Sequence, residues 1–253
     1  GASVPAPEVE ARVAELLVGS LASSSLGVPP PPLDLDLRPE GKKGAIARSL
    51  PAYRSYWDRW ALTWEHQALL RVRLAAGDPT LGEDFVAAAR ERSHPERVTT
   101  EQVREIRAMK ARVEQERIPI GEDPDFHVKL GRGALADIEW TVQLLQMQHG
   151  HALPALRTPS TLQALASLHQ ARLLEGEDAA ALDEAYRFCA AVRNRLFLRA
   201  GRTRDSLPTD PVEAAAVARS LGYDLAPRTA LREEYRRVTR RARRVVERVF
   251  YQG

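Results

Sequence analysis

The chain has 253 residues, 44% hydrophobic and 28% charged, with a formal net charge of +3; that is enough apolar material for one large domain or two ordinary ones. Its apolar runs are too short to span a bilayer, its start lacks the charged-then-apolar pattern of a secretory signal, and its single cysteine, Cys189, excludes a disulfide framework or a cysteine-based zinc site within one chain. These features predict a cytoplasmic protein with no membrane partner.

Val9, Val13, Leu16, Leu17 and Leu21 recur at helical spacing and predict a helix over residues 7–21. The run Leu26 to Pro32 (LGVPPPP) cannot be helical, because its prolines lack amide donors. It leads into LDLDL, residues 33–37, whose strict alternation predicts a strand. PEGKKG, residues 39–44, is turn material, and Ala45 to Arg48 is expected to pair back as a second short strand. Helices dominate from there. One is expected from Ser49, a cap with Pro51 in the first turn, to about Ala76. Others are predicted over 80–91, 100–117, 135–149, 160–172, 177–200, 211–221 and 229–250. Thr99 or Thr100 and Ser160 are expected N-caps, and Gly150, Gly201 and Gly222 sit where C-terminal glycines belong. The stretch Pro119–Gly133 is expected to act as a hinge between a front part with strands and an all-helical rear.

Four constellations are candidates for chemistry. In a strand over 33–37, Asp34, Asp36 and Arg38 would share one face. Two carboxylates on that face suit a divalent cation, and Arg38 with Lys42 and Lys43 suits phosphate oxygens; the alternative is a solvated acidic edge. Val18-Gly19-Ser20 precedes Asp34-x-Asp36 at a distance that mimics a nucleotidyltransferase pattern. Gly19 and Ser20 are expected inside a helix, however, where their amides cannot hold a phosphate. Tyr53, Trp57, Trp60 and Trp64 follow a 4-3-4 spacing and are expected to form a core stripe. Lys129, Gly131 and Gly133 precede a helix carrying Asp137 and Glu139. Such a turn either receives an anion or is a structural helix start complemented by its acids.

The fourth is the basic tail. Of the 37 basic residues only four are lysine, and the segment from Arg228 onward carries nine arginines against three glutamates. Leu231, Tyr235, Val238, Ala242, Val245 and Val249 form an apolar seam along it, so a bundle helix with a solvated basic surface is expected. Aromatics interleaved with the charge are missing, so no nucleic-acid partner is predicted.

Taken together, DLDLRPEGKKGAIARSLPAYRSYWDRWALTWEHQALLRVRLAAGD followed by LGRGALADIEWTVQLLQMQHG resembles the bifunctional glutamine synthetase adenylyltransferase/adenylyl-removing enzymes of actinobacterial type. Trp64-Glu65-x-Gln67-Ala68 and the ending RRARRVVERVFYQG resemble the unit that adds AMP. The resemblance implies a mostly α fold, with the remnant of a polymerase-β-like nucleotidyltransferase α/β domain over 1–98 and an all-α helical bundle over 99–253. It implies adenylyl transfer from ATP to a tyrosine of glutamine synthetase, Mg²⁺ as cofactor, and a PII-type signalling protein as a possible further partner. Asp34 matches a catalytic, metal-binding carboxylate of the family, with Asp36 ranked below it. Arg38, Lys42, Lys43, Lys129, Gly131 and Gly133 become nucleotide- or phosphate-binding candidates, and Asp137 and Glu139 belong to the helical-domain signature. Two further metal carboxylates are expected upstream of Gly1, so the chain alone is expected to have little adenylylating activity. The alternative is a helical module that docks glutamine synthetase or a PII-type protein without catalysis.

Overall fold

A computed structural model describes residues 6–22, 34–119 and 121–252. The chain divides into two compact units, Gly1–Arg92 and Ser93–Gly253. The described residues are mostly helical and form no strand. No helix among them is long and apolar enough to cross a membrane.

In the first unit, α1 (Ala6–Ala22) carries the expected apolar stripe, but Val9, Val13, Leu16, Leu17 and Leu21 are all exposed. The predicted strand over 33–37 does not form in its described part, Asp34–Leu37; Leu33 and the proline run lie outside the described residues. Asp34 helps turn the chain instead, because a short carboxylate competes for nearby amides. Asp34 Oδ1 accepts from the Asp36 amide at 2.9 Å. Nor do residues 45–48 form a strand, so the expected hairpin is absent among the described residues.

The single helix expected from Ser49 to Ala76 is broken. Ser49 caps α2 (Leu50–Arg59) by accepting from the Ala52 amide. A second helix, α3 (Thr63–Ala68), starts because Glu65 turns back to accept from the Leu62 amide at 2.7 Å while also accepting from the Tyr56 hydroxyl at 2.8 Å. The break splits the aromatic stripe. Trp57 is buried against Tyr53 and Phe85 of α4 (Pro79–Ser93), with ring centroids 5.4 Å from each. Trp60, at the break, is 73% exposed.

In the second unit, α5 (Thr100–Glu116) opens on the expected Thr99 cap, with Gln102 returning a bond to the Thr99 amide. There follow α6 (Leu135–His149), α7 (Thr161–Gln170), α8 (Gly176–Ala200), α9 (Pro211–Ser220) and α10 (Pro227–Val246), which runs into a π-helical turn, Glu247–Gln252. Five of the six expected seam positions, Leu231, Tyr235, Val238, Ala242 and Val245, are buried, and Leu231 and Tyr235 pack with residues of α8 and α9; the sixth, Val249, falls in the π-helical turn and is half-buried. Cys189 on α8 is fully buried, and desolvation pushes its thiol up to about 12, so it is an inert core residue.

The Pro119–Gly133 stretch is not a hinge. It lies within the second unit, and its Phe126 and Val128 are buried core residues. Leu207 donates its amide to Phe126 and Val128 donates to Asp205, stitching the stretch to the loop between α8 and α9.

Candidate functional site

The candidate residues fall into both units, and each group has its own geometry. In the first unit, the loop from Asp34 to Gly44 is organised by Arg38. Its Nε donates to the Gly44 carbonyl at 3.0 Å, Nη1 to Leu35 at 2.7 Å and Nη2 to Lys42 at 3.1 Å. A guanidinium presents rigid, planar donors and matches three carbonyls on one loop well. Arg38 is therefore a loop staple, its three guanidinium nitrogens each donating to a carbonyl of its own loop. Around it, Asp34 is exposed with one carboxylate oxygen committed to the Asp36 amide, and the Asp36 carboxylate lies 3.6 Å from the Lys42 ammonium. Lys42 and Lys43 are exposed. Among the described residues no group of three or more His, Cys, Asp or Glu is placed to hold a metal ion. Asp34 and Asp36 by themselves supply fewer oxygen ligands than a hard dication takes. Gly19 and Ser20 lie within α1, as expected, and hold no phosphate-binding geometry.

In the second unit, the turn before α6 is built into the core. The Gly131 amide donates to the His127 carbonyl, Ala134 to Gly131, Leu135 to Val128 and Ala136 to Lys129. The Gly133 amide donates to Asp137 Oδ2 at 2.7 Å. The amides that would receive an anion are thus already satisfied internally. At Gly133, φ is +74° and a Cβ would sit 2.0 Å from the Thr239 carbonyl oxygen, so the glycine lets the turn lie directly on α10. Lys129 is exposed, whereas Gly131 and Gly133 are buried. The glycine turn is a packing joint against α10.

Asp137 is the centre of that joint. Its carboxylate is 1% exposed and also accepts from Lys110 Nζ at 2.5 Å and from Arg243 Nη1 at 2.9 Å. Lys110, 2% exposed, pairs in addition with Glu114 and donates to the Tyr251 hydroxyl oxygen at 3.2 Å. Arg243 continues to Glu247 at 2.8 Å. One carboxylate therefore ties α5, the glycine turn and α10 together. His127 supports the same turn: its Nδ1 accepts from the Leu130 amide at 2.9 Å, and its carbonyl accepts from the Tyr235 hydroxyl at 3.2 Å. Lys110, His127 and Arg243 were not singled out from sequence. The available signal was Lys110, one of few lysines in an arginine-rich chain, four residues after the buried Ile106.

Glu139 faces a separate cavity of about 360 Å³ between α6 and α8, where the Tyr186 hydroxyl donates to it at 3.2 Å. The other polar groups there are partly committed: Arg193 pairs with Asp205 and Arg204 with Glu213, each at 2.5 Å.

The network dictates a pH dependence. Burial alone would raise Asp137, but the Lys110 ammonium, the Gly133 amide and the Arg243 guanidinium hold it below the usual carboxylate range. Burial alone would depress Lys110, but Asp137 and Glu114 raise it. Burial lifts Glu114 despite Lys110, and it depresses His66, His127 and His149. A depressed carboxyl adds stability that is present above its unfolded value and lost as pH falls through the folded one. A raised lysine adds stability that is lost as pH rises through its folded value. These three histidines, His127 buried and His66 and His149 half-buried, cost stability once the unfolded chain binds their protons. Glu114, being raised, opposes the Asp137 trend in part. The urea midpoint is expected to be flat between about pH 7 and 8.5, to sag below about pH 6.5, to decline from about pH 9, where the unfolded chain loses the Cys189 proton that the folded chain keeps, and to fall steeply below about pH 4 and above about pH 10.5. A midpoint that climbs on acidification from pH 7 to 5 contradicts this.

A helical unit keyed by a buried acid, preceded by a loop with an exposed aspartate, is what nucleotidyltransferase family models match along this chain. Residues 2–88 match the model for glutamate-ammonia ligase adenylyltransferase, and residues 104–251 match that for GlnD PII-uridylyltransferase. A bifunctional glutamine synthetase adenylyltransferase/adenylyl-removing enzyme of Streptomyces avermitilis is 52% identical over 224 residues, covering 88% of this chain and 22% of that protein. Proteins of the same description from Mycobacterium leprae and Mycobacterium avium are 48% and 44% identical, covering 87% and 97% of this chain and 22% and 26% of their own lengths. The chain belongs to the family of bifunctional glutamine synthetase adenylyltransferase/adenylyl-removing enzymes. It spans roughly a quarter or less of the length of the curated relatives it matches.

Proposed function

We propose that the protein bearing this chain transfers an adenylyl group from ATP to a tyrosine of glutamine synthetase in the cytoplasm. The observation that supports this most is identity of about half over 88% of the chain with an enzyme of that description. The reaction is an in-line displacement: the tyrosine oxygen attacks the α-phosphorus, the bond to the β-phosphate oxygen breaks, and pyrophosphate leaves. Asp34, exposed with one free carboxylate oxygen, is the group we assign to orient the tyrosine and receive its proton. Lys42 and Lys43, exposed on the same loop, are assigned to phosphate oxygens. The Mg²⁺ that accompanies ATP in this proposal needs carboxylates beyond those described. Asp137 is assigned to holding the helical unit together.

Incubating the whole protein with glutamine synthetase and ATP labelled at the α-phosphate tests the proposal. Label is expected on a glutamine synthetase tyrosine, with none transferred from γ-labelled ATP. The chain by itself is expected to transfer little. Absence of α-label from glutamine synthetase overturns the assignment. A second reading, docking without catalysis, is suggested for the helical unit by its match to the PII-uridylyltransferase model. It predicts that the chain binds glutamine synthetase or a PII-type protein without modifying it.

A further inference from the structure

Two groups of arginines on α10 differ in their partners. On one flank, Arg237 and Arg241 pair with Glu184 of α8 at 2.5 and 2.8 Å, Arg237 also pairs with Glu234, and Arg248 of the π-helical turn pairs with Asp178. On the other flank, Arg236, Arg240 and Arg244 are exposed, and no carboxylate lies within 4.0 Å of them among the described residues. They line a groove of about 580 Å³ together with Arg132 of the glycine turn, Arg243 and Asp125. Arg132 is likewise exposed and unpaired among the described residues.

This gathering is fixed by the fold. Gly133 presses the turn onto the Thr239 carbonyl, which brings Arg132 beside the middle of α10. Arg243 is held at the groove by Asp137 and Glu247, and the Arg236 guanidinium lies 4.8 Å over the Phe126 ring. Arg236, Arg240 and Arg244 follow one another at i, i+4 and i+8, a rise of about 12 Å along the helix. Like charges collected on a concave, partly low-dielectric surface repel one another unless an anion neutralises them. Guanidinium forks match phosphate oxygens two at a time. A volume in the range of small-ligand sites favours a compact polyanion over the flat face of a protein.

We propose that this groove binds a di- or triphosphate, as a site in the helical unit separate from the Asp34 loop and independent of the adenylyl-transfer reading. Isothermal titration of the full chain with inorganic pyrophosphate, inorganic triphosphate and ATP at about 150 mM salt, with sulfate as the charge control, tests it. Triphosphate is expected to bind at least about tenfold tighter than sulfate, and the Arg240→Ala/Arg244→Ala variant to weaken it by about 30-fold. The Arg237→Ala/Arg241→Ala variant, on the paired flank, is expected to stay within about twofold of the parent. Arg132→Gln supplies a second variant on a different element and is expected to weaken binding by about fivefold or more. Because ATP also has the Asp34 loop open to it, only the part of its binding lost in Arg240→Ala/Arg244→Ala counts: that part being tighter than for triphosphate identifies a nucleotide as the ligand, and its being equal identifies the free polyphosphate; both uphold the site. Equal affinity for sulfate, binding indifferent to Arg240→Ala/Arg244→Ala and Arg132→Gln, or tighter binding of a polyglutamate peptide overturns it.

Discussion

Replacing Asp137 by alanine is expected to destabilise the protein by about 3–5 kcal/mol and to lower its unfolding temperature by on the order of 10 °C. The reason is what the substitution leaves behind. Lys110 is 2% exposed, and without Asp137 it keeps only the partly exposed Glu114 as a charge partner. Arg243 loses its buried acceptor, and the Gly133 amide is left without a partner where water does not reach. A buried donor stripped of its acceptor costs the full desolvation penalty, and an unpaired buried ammonium costs more. Urea unfolding followed by far-ultraviolet circular dichroism reads the loss. Asp137→Asn, which keeps an acceptor but not the charge, is expected to cost less. The double variant Lys110→Met/Asp137→Ala is expected to cost less than the sum of its parts, because it removes the stranded charge. Strict additivity would place the two groups outside a common network.

Gly133→Ala is the second large effect. A methyl group 2.0 Å from the Thr239 carbonyl oxygen cannot be accommodated by a side-chain movement, because the obstacle is helix backbone. The left-handed φ of +74° adds its own strain. Together these are expected to cost more than about 3 kcal/mol. Gly77, also at positive φ but with open space around its Cβ position, serves as the control; Gly77→Ala is expected to cost only about 1–2 kcal/mol. Equal losses at the two positions would mean that the turn does not lie tightly on α10.

The helices were legible in the sequence because their signals are local. Ser49, Thr99 and Ser160 cap the helices they were expected to cap, and the α10 seam is buried at its five predicted positions from Leu231 to Val245. Errors arose where a distant group decided the outcome. LDLDL alternates like a strand, but a strand needs a partner to take its amides; among the described residues none is present, and Asp34 and Arg38 turn the chain instead. Trp60 fits the aromatic stripe by spacing, yet Glu65 starts a new helix and leaves it outside. The glycine turn resembles an anion cradle in sequence, whereas its amides are filled by carbonyls of residues 127–131 and by Asp137. The acids Asp137 and Glu139 were noted, but the partners that give Asp137 its role lie 27 and 106 residues away in the chain.

Chemistry belongs to the Asp34 loop and architecture to the glycine turn, and one parallel measurement tests that division most directly. AMP incorporation into glutamine synthetase is followed for the whole protein and for its Asp34→Asn and Lys129→Ala variants, with glutamine synthetase binding measured alongside. Asp34→Asn is expected to slow transfer by about 100-fold at unchanged binding, while Lys129→Ala stays within about twofold of the parent. Transfer at the parental rate by Asp34→Asn, or its loss in Lys129→Ala, would contradict the account.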